Sequence, residues 1–369
     1  MNFLKKLLGS EKNVNSVEAF WAWFENNQRA FFITLELRDS QSIENRFMQK
    51  IMPKLQALNG HFYCEAGMYN DTTAELVISA EGDIKSFVWV EELVAAAPAL
   101  ENWKFTALKP VFPGGTIDMD GYTFGEHNIS FFYEEEQEYP DEINLILVHQ
   151  DFNEDDKETI AHGTILFLDN LLGELNSAIL IDNLKVKGEG PAGQQPIPMD
   201  KLTDFLAWKE KEFVEKYQGT RHQTENDAYA SLEASDKDGR PIIAILNKDL
   251  LRWDAKSSHP WMAVIEMDYE KKKGGGRNGM PGSEYLKLMR KMENELTQQL
   301  PDAEGYLDLG RQTYNGKRTI YLACKEFRTA SKKIAEWIDR HQQEMVCTYD
   351  IYKDKYWRTM NKFQAPATD

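Results

Sequence analysis

Apolar positions along this chain switch repeatedly between helical spacing and strand alternation, and the switches outline three successive stretches. In the first, Val17, Phe20, Trp21 and Phe24 recur at helical spacing behind an Asn15/Glu18 capping-box start. Phe31, Ile33, Leu35 and Leu37 then alternate as on a strand. Ile43, Phe47, Ile51, Leu55 and Leu58 mark a helix with Pro53 as a kink or break, ended by Asn59 and Gly60. Strands at 62–69 and 74–79 follow around an Asn70–Asp71 turn, then a helix opened by Asp83 and a strand at 103–108. The order predicted is βαββαβ.

The last stretch predicts the same order. A hairpin, 229–234 with 242–246, turns at Asp238 and Gly239. A strand at 261–269 precedes a helix face of Tyr285, Leu288, Met289, Met292 and Leu296; strands at 306–314 and 319–324 join across Asn315–Gly316. Phe327, Ser331, Ile334, Trp337 and Ile338 give a second helix, and 345–352 a final strand. Between these stretches, strands at 116–124, 129–133 and 143–149 and a helix through Ile160 and Leu171 ending at Gly173 are expected. A strand at 178–186, a Gly- and Pro-rich linker at 188–198 and a charged amphipathic helix through Leu202 and Phe213 complete the middle. The expected fold is α+β: two ferredoxin-like units, 1–112 and 221–369, flanking a smaller acidic α+β unit at 113–220.

Composition sharpens this. With 369 residues, 42% hydrophobic and 12% aromatic, the chain has ample material for a core. Forty-three Lys and Arg face sixty Asp and Glu, a net charge of −17, and most of the imbalance is local: 118–158 holds fourteen carboxylates and one lysine, Lys157. Such a surface repels a phosphate backbone, so nucleic acid is not an expected partner. No apolar run spans a bilayer, and Met1–Gly9 reads as a short amphipathic helix rather than a signal peptide. A cytoplasmic protein without membrane association is expected. Cys64, Cys324 and Cys347 are widely spaced and form no CxxC pair, so neither a disulfide scaffold nor a zinc ribbon is implied.

Chemistry-bearing patterns are few. The loop KKKGGGRNGMPG, 271–282, lies between a predicted strand and a predicted helix, where main-chain amides can hold an anion. It matches neither the GxxxxGK phosphate loop nor the GxGxxG fingerprint, and Glu284 stands beside it. Gly274, Gly275, Gly276, Arg277 and Gly279, with Arg318 as a charge partner, are the candidate anion or partner site. The acidic run Glu134, Glu135, Glu136 and Glu138 is the candidate interaction face, suited to a basic protein partner. His127, His149 and His162 accompany the carboxylates but show no metal-binding spacing, so no metal and no cofactor are expected. No nucleophile elbow or Cys–His pairing supports covalent catalysis.

Four short motifs carry a family resemblance: Gly279–Met280–Pro281; Glu293 within the following helix; Asn315–Gly316–Lys317–Arg318; and Asp354–Lys355–Tyr356–Trp357. The last third thereby resembles a bacterial domain-of-unknown-function family, number 695, with Met280 in place of the usual Leu and Lys355 in place of the usual Pro. That resemblance implies a ferredoxin-like domain and no established activity. The reading that follows is a non-enzymatic cytosolic protein acting through protein or small-ligand binding; an enzyme for a phosphorylated or anionic substrate at loop 274–282 is the alternative. No motif encodes a ligand or an oligomeric state.

Overall fold

The computed structural model describes residues 16–112, 114–269 and 277–363, and it is a mixed α+β structure with several sheets. Met1–Gly9, Asn15 and Gly274–Gly276 fall outside the described residues. The chain divides into two compact units: residues up to 115 together with 168–178, and residues 116–167 together with 179–369.

In the first unit, α1 (Val17–Glu36) is capped by Ser16, whose hydroxyl accepts from the Ala19 amide. α2 (Ser40–Ile43) runs through one π turn into α3 (Gln49–Leu58), which carries Pro53 within it. β1 (Tyr63–Met68), β2 (Ala74–Ser79), α4 (Ile84–Ala95) and β3 (Trp103–Ala107) complete a three-stranded sheet, order β1-β2-β3, with only the β2–β3 pairing parallel. The strand expected over 31–38 is helix. Phe20, Phe24, Phe31 and Leu35 continue one helical stripe into the core, whereas Ile33 and Leu37, needed for the alternation, are 49% and 57% exposed. Glu174, buried, closes this unit: its carboxylate accepts from the amides of Ala80, Gly82 and Lys109, each at 3.0 Å.

The second unit starts with a tight hairpin, β4 (Ile117–Met119) and β5 (Tyr122–Phe124), where a single strand was expected. Asp120 and Gly121 both take positive φ, the conformation a two-residue hairpin turn demands. β6 (Ile129–Glu134), β7 (Asn144–His149), α5 (Lys157–Leu172), α6 (Glu174–Leu180), β8 (Asn183–Lys187) and β9 (Ile197–Pro198) follow, with sheet order β8-β7-β6-β9. The strand expected at 178–186 is thus the end of a helix and the start of β8. In the expected linker, Ile197 and Pro198 pair with Phe131 and Ser130 of β6. α7 (Leu202–Tyr217) comes next.

The large sheet is built from β10 (Tyr229–Ser235), β11 (Pro241–Asn247), β12 (Trp261–Asp268), β13 (Tyr306–Tyr314), β14 (Lys317–Cys324) and β15 (Val346–Lys353), with α8 (Lys248–Leu251), α9 (Ser283–Gln299) and α10 (Arg328–His341) between them. Its order is β10-β11-β13-β14-β12-β15, every pairing antiparallel. Alternation decides its faces. Trp261, Ala263, Ile265 and Met267 share one face with Arg318, which lies opposite Met267 and reaches Glu293 of α9. Trp337 of α10 donates to the Met292 carbonyl at 3.1 Å, so both helices cover that face. Met262, Leu307, Tyr321 and Ala323 pack on the other face with Leu250, Trp357 and Met360. Each interdigitated core side chain of this size contributes about 1.5–3 kcal/mol by burial.

Candidate functional site

Of the expected anion site, Gly274, Gly275 and Gly276 lie outside the described residues, while Gly279 and Arg318 are placed at the β13–β14 turn. Gly279 takes φ +73° and its carbonyl accepts from the Tyr269 hydroxyl (2.6 Å) and the Gly316 amide (2.9 Å). A Cβ there would lie 3.1 Å from Asn315 Cα, so the glycine lets the loop end close onto the β13–β14 turn. Arg318 is buried. One guanidinium nitrogen meets Glu293 Oε1 at 2.9 Å, and Nε donates to Thr313 Oγ1 at 2.9 Å; Arg311 Nε stands 3.5 Å from Glu293 Oε2. Arg318, expected as a charge partner of the anion loop, is thus paired with Glu293. The motifs that carried the resemblance act here as structural pins.

Glu135, Glu136 and Glu138 are exposed at the end of β6 and beyond it, and Glu134 pairs with Lys185 at 3.1 Å. Ten of the fourteen carboxylates at 118–158 are exposed. His149 is held by main chain, with Nε2 against the Thr123 carbonyl and Nδ1 against the Asp151 amide. Among the described residues no three His, Cys, Asp or Glu side chains are grouped to hold a metal. Burial pushes the Cys64 and Cys347 thiols up to about 12, far from nucleophilic.

What the sequence did not reveal is an ionic interlock between the acidic middle stretch and the C-terminal end. The turn after Tyr139, closed by the Glu142 amide on the Tyr139 carbonyl, brings Asp141 and Glu142 inward. The tail is bent to meet them: the Asp354 carboxylate accepts from the amides of Arg358 and Thr359, and Trp357, with φ +56°, buries its indole and donates to the His259 carbonyl. Asp141 accepts from Lys216 Nζ (2.6 Å) and from the hydroxyls of Tyr217 (2.7 Å) and Tyr356 (2.8 Å). Arg358 meets Glu142 at 2.6 Å. Asp182 receives Lys353 on one oxygen (3.0 Å) and Lys355 on the other (2.8 Å), where it also accepts the Ile143 amide. Lys355, standing where the resembled family has proline, further donates to the Asp141 carbonyl at 2.5 Å.

Electrostatics follow from this geometry. Burial pushes Asp141 up, but the bonds from Lys216, Tyr217 and Tyr356 outweigh it and leave the carboxyl below its ordinary value. Glu142 is raised, by burial first, against the pull of Arg358. Burial brings Lys353 down to about 8, Lys355 pushing the same way and Asp182 opposing.

Two hollows flank Phe213 and Lys355. One, of about 460 Å³, is edged by Tyr133, Asp141, Lys209 and Glu212 and is of mixed polarity. Lys209 already lies over the Tyr133 ring, its Nζ 4.8 Å from the centroid. The other, of about 380 Å³, is walled by Phe213, Val214, Pro260, Trp261 and Phe327, with Lys325 and Lys353 on its lining. An apolar body with a few charged groups is the usual make-up of a small-molecule site, and the volume lies in the range of about 300–1,000 Å³ typical of them. No curated protein and no solved structure matches the chain. Its C-terminal part, residues 233–363, matches the family model described as a family of unknown function (DUF695), for which no activity is established.

Proposed function

We propose that the protein is a non-enzymatic cytosolic binding module whose ligand is a small amphipathic anion seated in the 380 Å³ hollow beside α7. The observation that carries this is the lining itself: aromatic and aliphatic walls from Phe213, Val214, Trp261 and Phe327, with Lys325, Lys353 and Lys355 outnumbering Glu210 and Glu326 on it. Apolar burial supplies affinity and the lysines select a carboxylate or similar head. We read the C-terminal stretch as a ferredoxin-like scaffold, supported by the β13-β14-β12-β15 order and the two helices on one face. Among the described residues no helix is long and apolar enough to cross a membrane.

Thermal shift with a panel of small carboxylates tests this, because a ligand of the native state raises the midpoint. Aromatic and medium-chain carboxylates should stabilise the full chain, and acetate or inorganic phosphate should not. Val214→Asp, at a position 53% exposed and therefore tolerant, should abolish the shift. Equal shifts in that variant, or none with any member of the panel, would remove the hollow from the functional reading. A second reading, a basic protein docking on Glu135, Glu136 and Glu138, is favoured by the exposure of those carboxylates.

A further inference from the structure

Two lysines of the interlock converge on one carboxylate. Asp141, Glu142 and Asp182 face Lys216, Lys353, Lys355 and Arg358, and two of the lysines share the single carboxylate of Asp182. Lys353, Lys355 and Asp182 all have side chains at most 13% exposed, so this close pair of ammonium groups is little screened by water, with Glu210 as a further negative charge acting on Lys353. Lys355 is the firmly held partner, fixed by Asp182 Oδ2 and the Asp141 carbonyl. Lys353 holds Asp182 Oδ1 at 3.0 Å and the Leu180 carbonyl at 3.3 Å, and it lines the apolar hollow.

We propose that Lys353 Nζ is a carbonyl-capturing amine, which holds the amphipathic anion of this hollow through an aldehyde or ketone group of that ligand as a reversible imine. The proposal rests on the hollow being a ligand site, the reading given above, and names the chemical class of that ligand. The amine lone pair attacks the carbonyl carbon, opening the C=O π bond; after proton transfer the carbinolamine oxygen leaves as water and a C=N bond forms. No oxidant, reductant or cofactor enters, and hydrolysis reverses every step. The protonated imine keeps one positive charge where the ammonium stood, beside Asp182 Oδ1. A lysine is activated for this chemistry by desolvation and by a second cation nearby, and here burial beside the apolar hollow supplies the first and Lys355 the second. The other charged groups acting on Lys353 are Asp182 and Glu210 of α7, which oppose deprotonation without overcoming burial. With its pKa near 8, roughly a quarter of Lys353 is free amine at about pH 7.5, against roughly one part in a thousand for an unperturbed lysine.

The test uses the full chain, benzaldehyde and sodium cyanoborohydride, with peptide mass spectrometry to locate the reduced adduct. Lys353 should label at least about tenfold faster at pH 7.5 than the exposed Lys211 and Lys291, and its rate should rise through pH 8. Lys353→Arg should remove that adduct; should that variant not fold, selectivity and pH profile in the unmodified chain carry the test alone. Labelling of Lys353 no faster than the exposed lysines, or a rise only near pH 10, would overturn the proposal. A parallel thermal shift with benzoate separates the two readings: stabilisation by benzoate without trapping overturns the imine and leaves the ligand site standing, whereas neither response overturns both.

Discussion

Replacing Glu293 by leucine removes the carboxylate facing Arg318 while keeping comparable volume. Their side chains are 10% and 7% exposed, so among the described residues the guanidinium left behind keeps the Thr313 Oγ1 bond and has little water. Breaking a buried pair on one side costs about 3–5 kcal/mol, because a buried charge is left uncompensated. Arg311, 3.5 Å from the other oxygen and 29% exposed, adds at most about 1 kcal/mol by losing its weaker partner. The expected loss therefore lies near 3–5 kcal/mol. Since the chain has two compact units, a global melt would mix them, and amide hydrogen exchange along β14 and α9 in the full chain is the better assay. Protection there should fall by two to nearly four powers of ten, since about 1.4 kcal/mol is tenfold. Glu293→Leu combined with Arg318→Met should restore most of it, because an apolar pair of similar volume fills the same space without desolvated charge. A single-variant loss below about 1 kcal/mol, or a double variant as damaged as the single, would refute the view that these residues are a structural pair.

Gly310→Ala should destabilise the large sheet by about 1–3 kcal/mol or more, measured by the same exchange on β11 and β13: φ is +129° and the new Cβ would fall 2.2 Å from the Ile245 carbonyl oxygen. His259, buried, is brought down to about 4 by burial first and by Lys325 and His222 after it. The unfolded chain takes up that proton near pH 6.5 and the folded chain only near 4, so this contribution is complete above 6.5 and lost as pH falls to 4, on the order of 3 kcal/mol in all. Denaturation across this window should be flatter in His259→Gln than in the unmodified chain, and identical slopes would refute the assignment. Glu135→Gln, Glu136→Gln and Glu138→Gln together should change stability by less than about 0.5 kcal/mol while slowing capture of a basic protein partner at low salt, a difference that shrinks with added salt. Equal association rates by stopped flow would remove that face from the functional argument.

Where burial follows a local period, the sequence was readable. β12, β13, β14 and β15 fall where alternation placed them, and α9 and α10 where the i, i+3, i+4 stripes did, because each covers or forms a face of one sheet. The misreading at 31–38 has an equally local cause. Four alternating apolar residues satisfy a strand period, but only the longer window from Phe20 to Leu35 shows that two of the four belong to a helical stripe. The Asp120–Gly121 turn divides the stretch expected as one strand at 116–124, because the β-formers on both sides of the dipeptide mask its turn signal. Nothing local could have revealed the interlock. Asp141 and Tyr356 are 215 positions apart, and no spacing rule links them.

The interlock also changes what the acidity of the middle stretch is for. Read as a count, fourteen carboxylates suggest a single solvated face, and ten of them are that face. Asp141 and Glu142, from the same run, turn the other way and join Asp182 to receive four cations. Three of those cations, Lys353, Lys355 and Arg358, sit within six residues at the end of the family-matching stretch, whereas all three acids lie outside it. An ionic array of this kind, buried at its acids and at Lys353 and Lys355, adds little stability over an apolar contact, yet it favours one arrangement of partners because others leave a buried charge unpaired. It therefore acts as a register between the middle strands and the large sheet. Lys353, which shares the Asp182 carboxylate with Lys355, is the member of the array that also lines the apolar hollow. In this chain the requirement to orient two pieces of polypeptide and the supply of a reactive amine come from one set of residues, which is why Asp182→Asn is expected to disturb both together.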